Sequence, residues 1–111
     1  MHQPRSSRFP VQLPISFSGN HAAGSGFVCE LSDTGCSVTC EEGIEVGLSV
    51  AMHIQLPGEE VPLKAEGCIR WTNGMALGVE FHWRRLEEKR RFRHFLDALA
   101  RAAENRVRRA S

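Results

Sequence analysis

Two short stretches of the chain combine residue types suited to an anionic, hydrogen-bonding ligand. The first, Arg5-Ser6-Ser7-Arg8-Phe9-Pro10, carries a pair of guanidinium groups. A guanidinium pairs two phosphate oxygens at once through its planar fork of donors, and it can also fork onto guanine. The second, Glu30-Leu31-Ser32-Asp33-Thr34-Gly35, reads as a strand end running into a turn that closes with glycine. A positive φ is expected at Gly35. The turn amides and the Ser32 hydroxyl would then converge as a small anion-binding nest. A carboxylate at position 30 accepts hydrogen bonds, which is what the N1–H and N2–H₂ edge of guanine offers. These pieces together suit a guanine nucleotide with exposed phosphates. Taken alone, they fit solvated arginines beside an ordinary turn better.

Other chemistries find less support. Four cysteines occur, at 29, 36, 40 and 68, with no CxxC pair. On one strand, Cys36 and Cys40 would lie ~13 Å apart, at ~3.3 Å per residue. That separation excludes a shared zinc ion and a disulfide between them. Buried thiols are the expectation, with no metal and no resident cofactor. The five histidines are scattered, Gly24-Ser25-Gly26 lacks the full nucleophile elbow, and no phosphate-cradling GxxxxGK occurs. The chain does not read as an enzyme.

The elements that would position the two stretches follow from hydropathy. Residues 11–18 alternate, with Val11, Leu13, Ile15 and Phe17 on one face, and Pro14 points to an edge or a bulge. A loop over 19–26 precedes strands at about 26–31 and 36–40, the latter with Cys36, Val38 and Cys40 inward. Strands at 49–56 and 61–72 follow, the second with Leu63, Ala65, Gly67, Ile69 and Trp71 on one face. Asn73-Gly74 marks a hairpin into a last strand over 75–82. Six short strands joined by tight turns predict an antiparallel β-barrel or sandwich.

From about 84 the period becomes helical. Phe92, Phe95, Leu96, Leu99 and Ala103 share one arc. Glu87/Arg91, Asp97/Arg101 and Glu104/Arg108 are spaced i,i+4 with the acid first. Arg84 and Arg85 oppose the helix dipole, so the helix is expected to start slightly later and to dock over an open end of the barrel. The resulting division is an N-terminal segment over 1–10 with the arginine pair, a barrel over 11–83 and a helix over 84–108.

The 111 residues suffice for one domain, and 41% hydrophobic with 24% charged residues is a globular composition. No apolar run approaches the ~20 residues that span a bilayer, and MHQPRSSRF lacks the apolar core of a secretory signal. A soluble, cytoplasmic protein is the expectation. Net charge is +1, but residues 84–111 balance to +6 and residues 1–83 to −5. A basic helix on an acidic body would permit a homodimer. Glu87 and Glu88 interrupt the basic stretch over 84–93, which therefore reads as a solvated face rather than a DNA or RNA surface. Trp71 and Trp83 read as packing residues at the barrel rim.

The chain resembles the PilZ domain family over about residues 5–100. Arg8-Phe9-Pro10-Val11 is similar to the second arginine and following strand of that family's RxxxR motif. Leu31-Ser32-Asp33-Thr34-Gly35-Cys36 is similar to the core of its [D/N]xSxxG motif. Ile69-Arg70-Trp71 and Gly78-Val79-Glu80-Phe81 resemble its VxW and GVxF hairpin. Two positions depart from the pattern: Pro4 stands where the first arginine is expected, with Arg5 one residue late, and Glu30 occupies the [D/N] position. The resemblance implies a six-stranded antiparallel β-barrel with a C-terminal α-helix. It also implies a receptor for cyclic di-GMP that acts on a downstream effector protein. Arg5 and Arg8 would contact phosphate and guanine, Glu30 a guanine edge, and Ser32 with the Gly35 turn phosphate or base. The other reading within this family is a member that binds no nucleotide and works through protein contacts.

Overall fold

The structure is a computed structural model that describes residues 7–19, 23–41 and 44–110, with side chains to 107. Six strands, β1 (Phe9–Ser18), β2 (Ala23–Leu31), β3 (Gly35–Cys40), β4 (Ser49–Ile54), β5 (Leu63–Asn73) and β6 (Ala76–Phe81), precede one helix, α1 (Leu86–Ala110). The strands close into an antiparallel barrel in the order β1-β2-β3-β6-β5-β4, with β4 returning to β1. Alternation drives this closure. In β4, Val50, Met52 and Ile54 point inward while Ser49, Ala51 and His53 face solvent. Leu13, Ile15 and Phe17 of β1 and Cys36, Val38 and Cys40 of β3 obey the same period.

Several boundaries differ from the sequence reading. β1 starts at Phe9, and β2 starts at Ala23 inside the stretch expected to be a loop. The Ala23–Gly26 stretch is extended because it pairs with Ser18–Ile15 of β1, although its small residues carry no strand signal of their own. Pro14 sits at neither an edge nor a bulge. The barrel closes past it, its carbonyl accepts from the Gln55 amide at 2.9 Å, and the irregularity in β1 falls between Pro10 and Leu13. The β5–β6 turn is Gly74-Met75, flanked by the pair Asn73↔Ala76, one residue later than Asn73-Gly74 implies. Only Gly74 takes a positive φ there, +64°, the sign pattern of a type II′ turn.

Helix α1 begins at Leu86, with Glu87 and Glu88 in the first turn where the dipole favours acids. A Glu88 oxygen also accepts from the Lys64 amide at 3.1 Å, tying the helix start to β5. Arg91 does not pair with Glu87 as the spacing implies. It reaches across to the β4–β5 connection, donating to the carbonyls of Val61 and Pro62 and pairing with Glu59 and Glu88. Phe92 is 1% exposed, with its ring 5.1 Å from both Phe81 and Trp83. Phe92 and Leu96 thus seal the barrel, while Val107, three turns on, is 69% exposed.

Candidate functional site

Three local irregularities shape the outer face of β1, β2, β3, β6 and β5. A bulge in β2 between Val28 and Glu30 lets Val28 and Leu31 both point inward, leaving Cys29 and Glu30 outside. Glu30 lies opposite Pro10 on one side and Ser37 on the other. Arg8, immediately before β1, extends over this edge and pairs with Glu30 at 3.5 Å. The second irregularity is the β2–β3 turn. The Ser32 amide donates to the Gly35 carbonyl at 2.9 Å, and the Ser32 hydroxyl accepts from the Thr34 and Gly35 amides at 3.4 and 3.3 Å. The Phe81 amide donates to the Thr34 carbonyl at 2.8 Å, pinning the turn to β6.

The turn corrects two expectations. Gly35 has no positive φ; it is the first residue of β3. Glycine is needed there because a Cβ would run into the Val79 carbonyl of β6. The Thr34 and Gly35 amides, moreover, are directed at the Ser32 hydroxyl rather than outward as a nest. Ser32 therefore holds the turn in shape and presents its hydroxyl at the rim.

The third irregularity lies in β5, where an extra residue between Ile69 and Trp71 shifts the register against β6. Period two carried through this point places Trp71 inward. The bulge instead turns it outward, 45% exposed and opposite Gly78, where a Cβ would collide with Nε1 and Cε2 of the indole. Arg70, beside it, is held side-on by Glu80, with Nε donating to Oε1 at 2.6 Å. The hydrogen bond to Glu80 and then its charge raise the affinity of Arg70 for its proton still further. Trp83, by contrast, packs in the cluster with Phe81 and Phe92, as expected for a rim residue.

These features enclose one open cleft of about 260 Å³. Arg8, Glu30, Ser32 and Gly35 all line it, so the structure brings four of the five residues singled out in the sequence to one place. Arg5 lies outside the described residues. Arg70, Trp71, Gly78 and Glu80 form the opposite wall. They were not singled out as site residues, and the usable signal was a tryptophan facing a glycine across a hairpin. A larger groove of about 870 Å³ runs past Pro14, Phe27 and Met75, but among the described residues Glu41 is the sole charged one on its lining. Those described residues offer an anion no cationic partner.

No disulfide forms among the four cysteines. Cys36, on the floor of the cleft, is buried, and its thiol is pushed up to about 12, by burial first and the nearby Cys29 second. A raised value stabilises the fold where the thiol is protonated, fully below the ordinary 9.0, and that contribution is lost as pH climbs from there toward 12. Urea midpoints should therefore fall more between pH 8 and 10 for the wild type than for Cys36→Val. Equal falls in the two proteins would remove this assignment. Among the described residues no cluster of His, Cys, Asp and Glu could hold a metal, and no helix is long and apolar enough to cross a membrane.

Comparison with known proteins gives a consistent picture. Bacillus subtilis MotI/DgrA, the inhibitor of motility, superposes with a TM-score of 0.71 at 17% identity over 95% of this chain and 53% of that one. K. pneumonia MrkH, solved as a complex with c-di-GMP, gives 0.69 at 14% identity over 96% and 55%. The PilZ domain of Escherichia coli YcgR, solved with c-di-GMP, gives 0.64 at 13% identity over 96% and 98%. The chain spans about half the length of the MotI and MrkH chains. At such identities the likeness is one of fold. No curated protein sequence matches the chain. The family described as the PilZ domain matches residues 2–98. With that match across most of its length, and a closed six-stranded barrel capped by one helix, the chain belongs to the PilZ domain family.

Proposed function

We propose that this domain is a non-catalytic receptor module for cyclic di-GMP. The observation that carries the reading is the convergence of Arg8, Glu30, Ser32 and Gly35, from separate parts of the chain, on one cleft. Arg8 is 72% exposed and its contact with Glu30 is long, so both groups can exchange each other for a ligand at small cost. The guanidinium then takes a phosphate, and the freed carboxylate accepts from the N1–H and N2–H₂ edge of guanine. The Ser32 hydroxyl, whose proton goes to the Gly35 carbonyl at 3.3 Å in the free turn, redirects it to the ligand, and since the turn is already formed little ordering is required there. Arg5, outside the described residues, is proposed as a second guanidinium for the phosphates. The c-di-GMP held by MrkH and by the YcgR domain supports the ligand class. In the cell, the ligand-bound face would be read by a downstream effector protein.

Titration calorimetry of the full chain with cyclic di-GMP tests this, with GTP as control. Saturable binding is expected, together with a rise in melting temperature, since a ligand at 100 times its Kd stabilises the native state by about 2.7 kcal/mol. Absence of both heat and thermal shift would remove the reading. The second reading is an adaptor that binds no nucleotide, and it has its own observation. Both described guanidinium groups of the cleft already carry a carboxylate partner, Arg8 with Glu30 and Arg70 with Glu80. A partner protein retained equally with and without the dinucleotide would favour it.

A further inference from the structure

The start of α1 presents its cations differently from the way the sequence suggests. Glu87 and Glu88 stand among the basic residues of 84–93, but neither breaks them up at the surface. Glu88 is turned toward the barrel, where it accepts from the Lys64 amide and pairs with Arg91. Glu87 lies two residues from Lys89, so it sits about 200° round the helix from it. Arg85, Lys89 and Arg93, spaced by four, form an exposed row without a carboxylate between them, which ends at Asp97. Arg85 belongs to the row because its carbonyl already accepts from the Lys89 amide at 3.2 Å. Its contact with Glu87 is long, 3.9 Å. Among the described residues no ion pair engages Lys64, Lys89 or Arg93.

At its Arg85 end the row meets a hollow of about 290 Å³ on the outer face of β4 and β5. His53, Lys64, Arg84 and Arg85 line it, and Lys64 faces His53 across the β4–β5 ladder. The one described carboxylate there is Glu66, which Arg84 already holds at 3.0 Å. Met52 and Ala65 contribute apolar lining. None of these residues lines the ligand cleft. Gathering like charges opposes folding, so packing gives no reason for it.

We propose that this hollow and the row beside it dock an acidic segment of a partner protein. One glutamate or aspartate side chain of that segment enters the hollow, and its neighbours pair with Lys89 and Arg93. A carboxylate on a flexible stem matches both parts of the lining, its methylenes against the apolar part and its oxygens against Lys64 and Arg85. Duplex DNA and an anionic bilayer carry their charge on surfaces too broad to enter such a recess. A duplex would also bring a phosphate opposite Asp97, where a protein segment is free to place a neutral residue. The exposed Leu86 offers too little apolar area to hold a bilayer. The charges lie at a wet rim, so they steer and orient the partner, and the contact weakens with salt. The proposal is independent of the receptor reading, because a partner anchored here leaves the cleft uncovered.

Fluorescence anisotropy of a labelled Glu/Ala peptide with the full chain at low salt tests this. A Gln/Ala peptide of the same length, a short DNA duplex and phosphatidylserine vesicles form the other arms. The Glu/Ala peptide should bind and the Gln/Ala peptide should not. The combined variant Lys64→Gln, Arg85→Gln, Lys89→Gln should weaken binding about 10-fold, since each exposed pair contributes modestly. The same loss of charge through Arg90→Gln, Arg101→Gln and Arg106→Gln, off the row or beyond Asp97, should change it less than about twofold. All six side chains are exposed, and a thermal melt of each variant confirms folding. Cyclic di-GMP should not displace the peptide. Equal weakening in the two variants, equal binding of the Gln/Ala peptide, displacement by cyclic di-GMP, or no binding of the Glu/Ala peptide overturns the proposal. Tighter binding of duplex or vesicles through Lys64, Arg85 and Lys89 also overturns it and gives the surface to that partner. A chain that binds the acidic peptide but no dinucleotide keeps this anchor and loses only the receptor reading.

Discussion

Truncating Phe92 to alanine should lower the melting temperature by about 15 °C or more. The side chain is 1% exposed and forms the junction between helix and barrel, ringed by Phe81 and Trp83. Removing a buried phenylalanine costs about 3–5 kcal/mol, through lost transfer energy and the cavity left behind. In a domain of this size each kcal/mol shifts the midpoint by about 4–8 °C. Leu96 stays packed on the core, and the Arg91 and Glu88 bonds to the β4–β5 connection and the start of β5 are polar and partly solvated. They cannot replace an aromatic plug. Phe95, only partly buried, serves as control and should cost much less when truncated. Melts followed by far-ultraviolet circular dichroism would show this. A fall of a few degrees for Phe92→Ala would mean that the helix is dispensable to the barrel.

Arg8→Ala should have the opposite profile, with binding weakened and stability kept. Its guanidinium is largely solvated and its one described partner, Glu30, lies 3.5 Å away, the kind of surface pair worth about 0–1 kcal/mol. Against a phosphate the same group makes a charge-assisted, forked contact whose loss costs about 1.5–3 kcal/mol. Affinity for cyclic di-GMP should therefore drop about 10- to 100-fold, with a melting temperature close to that of the wild type. Calorimetry and a thermal melt on the same preparation separate the two effects. An unchanged affinity would take Arg8 out of the site, and a large loss of stability would make it a structural residue instead.

Much of the architecture could be read from hydropathy because period two persists in most strands and gives way to a helical period after residue 83. What escaped was local. Counting by twos through β5 sends Trp71 into the core, and only the pairing with β6 reveals the extra residue that turns it out. Ala23–Gly26 lacks large apolar or β-branched residues, so its strand character comes from its partner β1. Gly35 could be picked out as a special position, but the reason differed: the close approach of a β6 carbonyl rather than a left-handed backbone. The Arg91 clamp was hidden because helix spacing offers Glu87 as a nearer partner than a loop brought in by tertiary packing.

The site was half visible for a related reason. Arg8, Glu30, Ser32 and Gly35 sit in two compact motifs, and motifs survive in a one-dimensional reading. Arg70 and Glu80 look like ordinary exposed charges on alternating strands, and their pairing requires the hairpin register. The Trp71–Gly78 pair was the available clue, since an aromatic ring covering a glycine on a neighbouring strand is a known way to stabilise a sheet. Here that arrangement also puts the ring on the lining of the cleft.

Where the dinucleotide sits on the barrel decides the site. Titrating ¹⁵N-labelled protein with cyclic di-GMP and following amide and indole shifts locates it directly. The expected changes are at Arg8, Glu30 to Gly35, Arg70, Gly78 and the Trp71 indole, with the Phe27 and Met75 groove and the end of α1 unmoved. Changes confined to that groove or to the helix, or none at saturating ligand, would contradict the account.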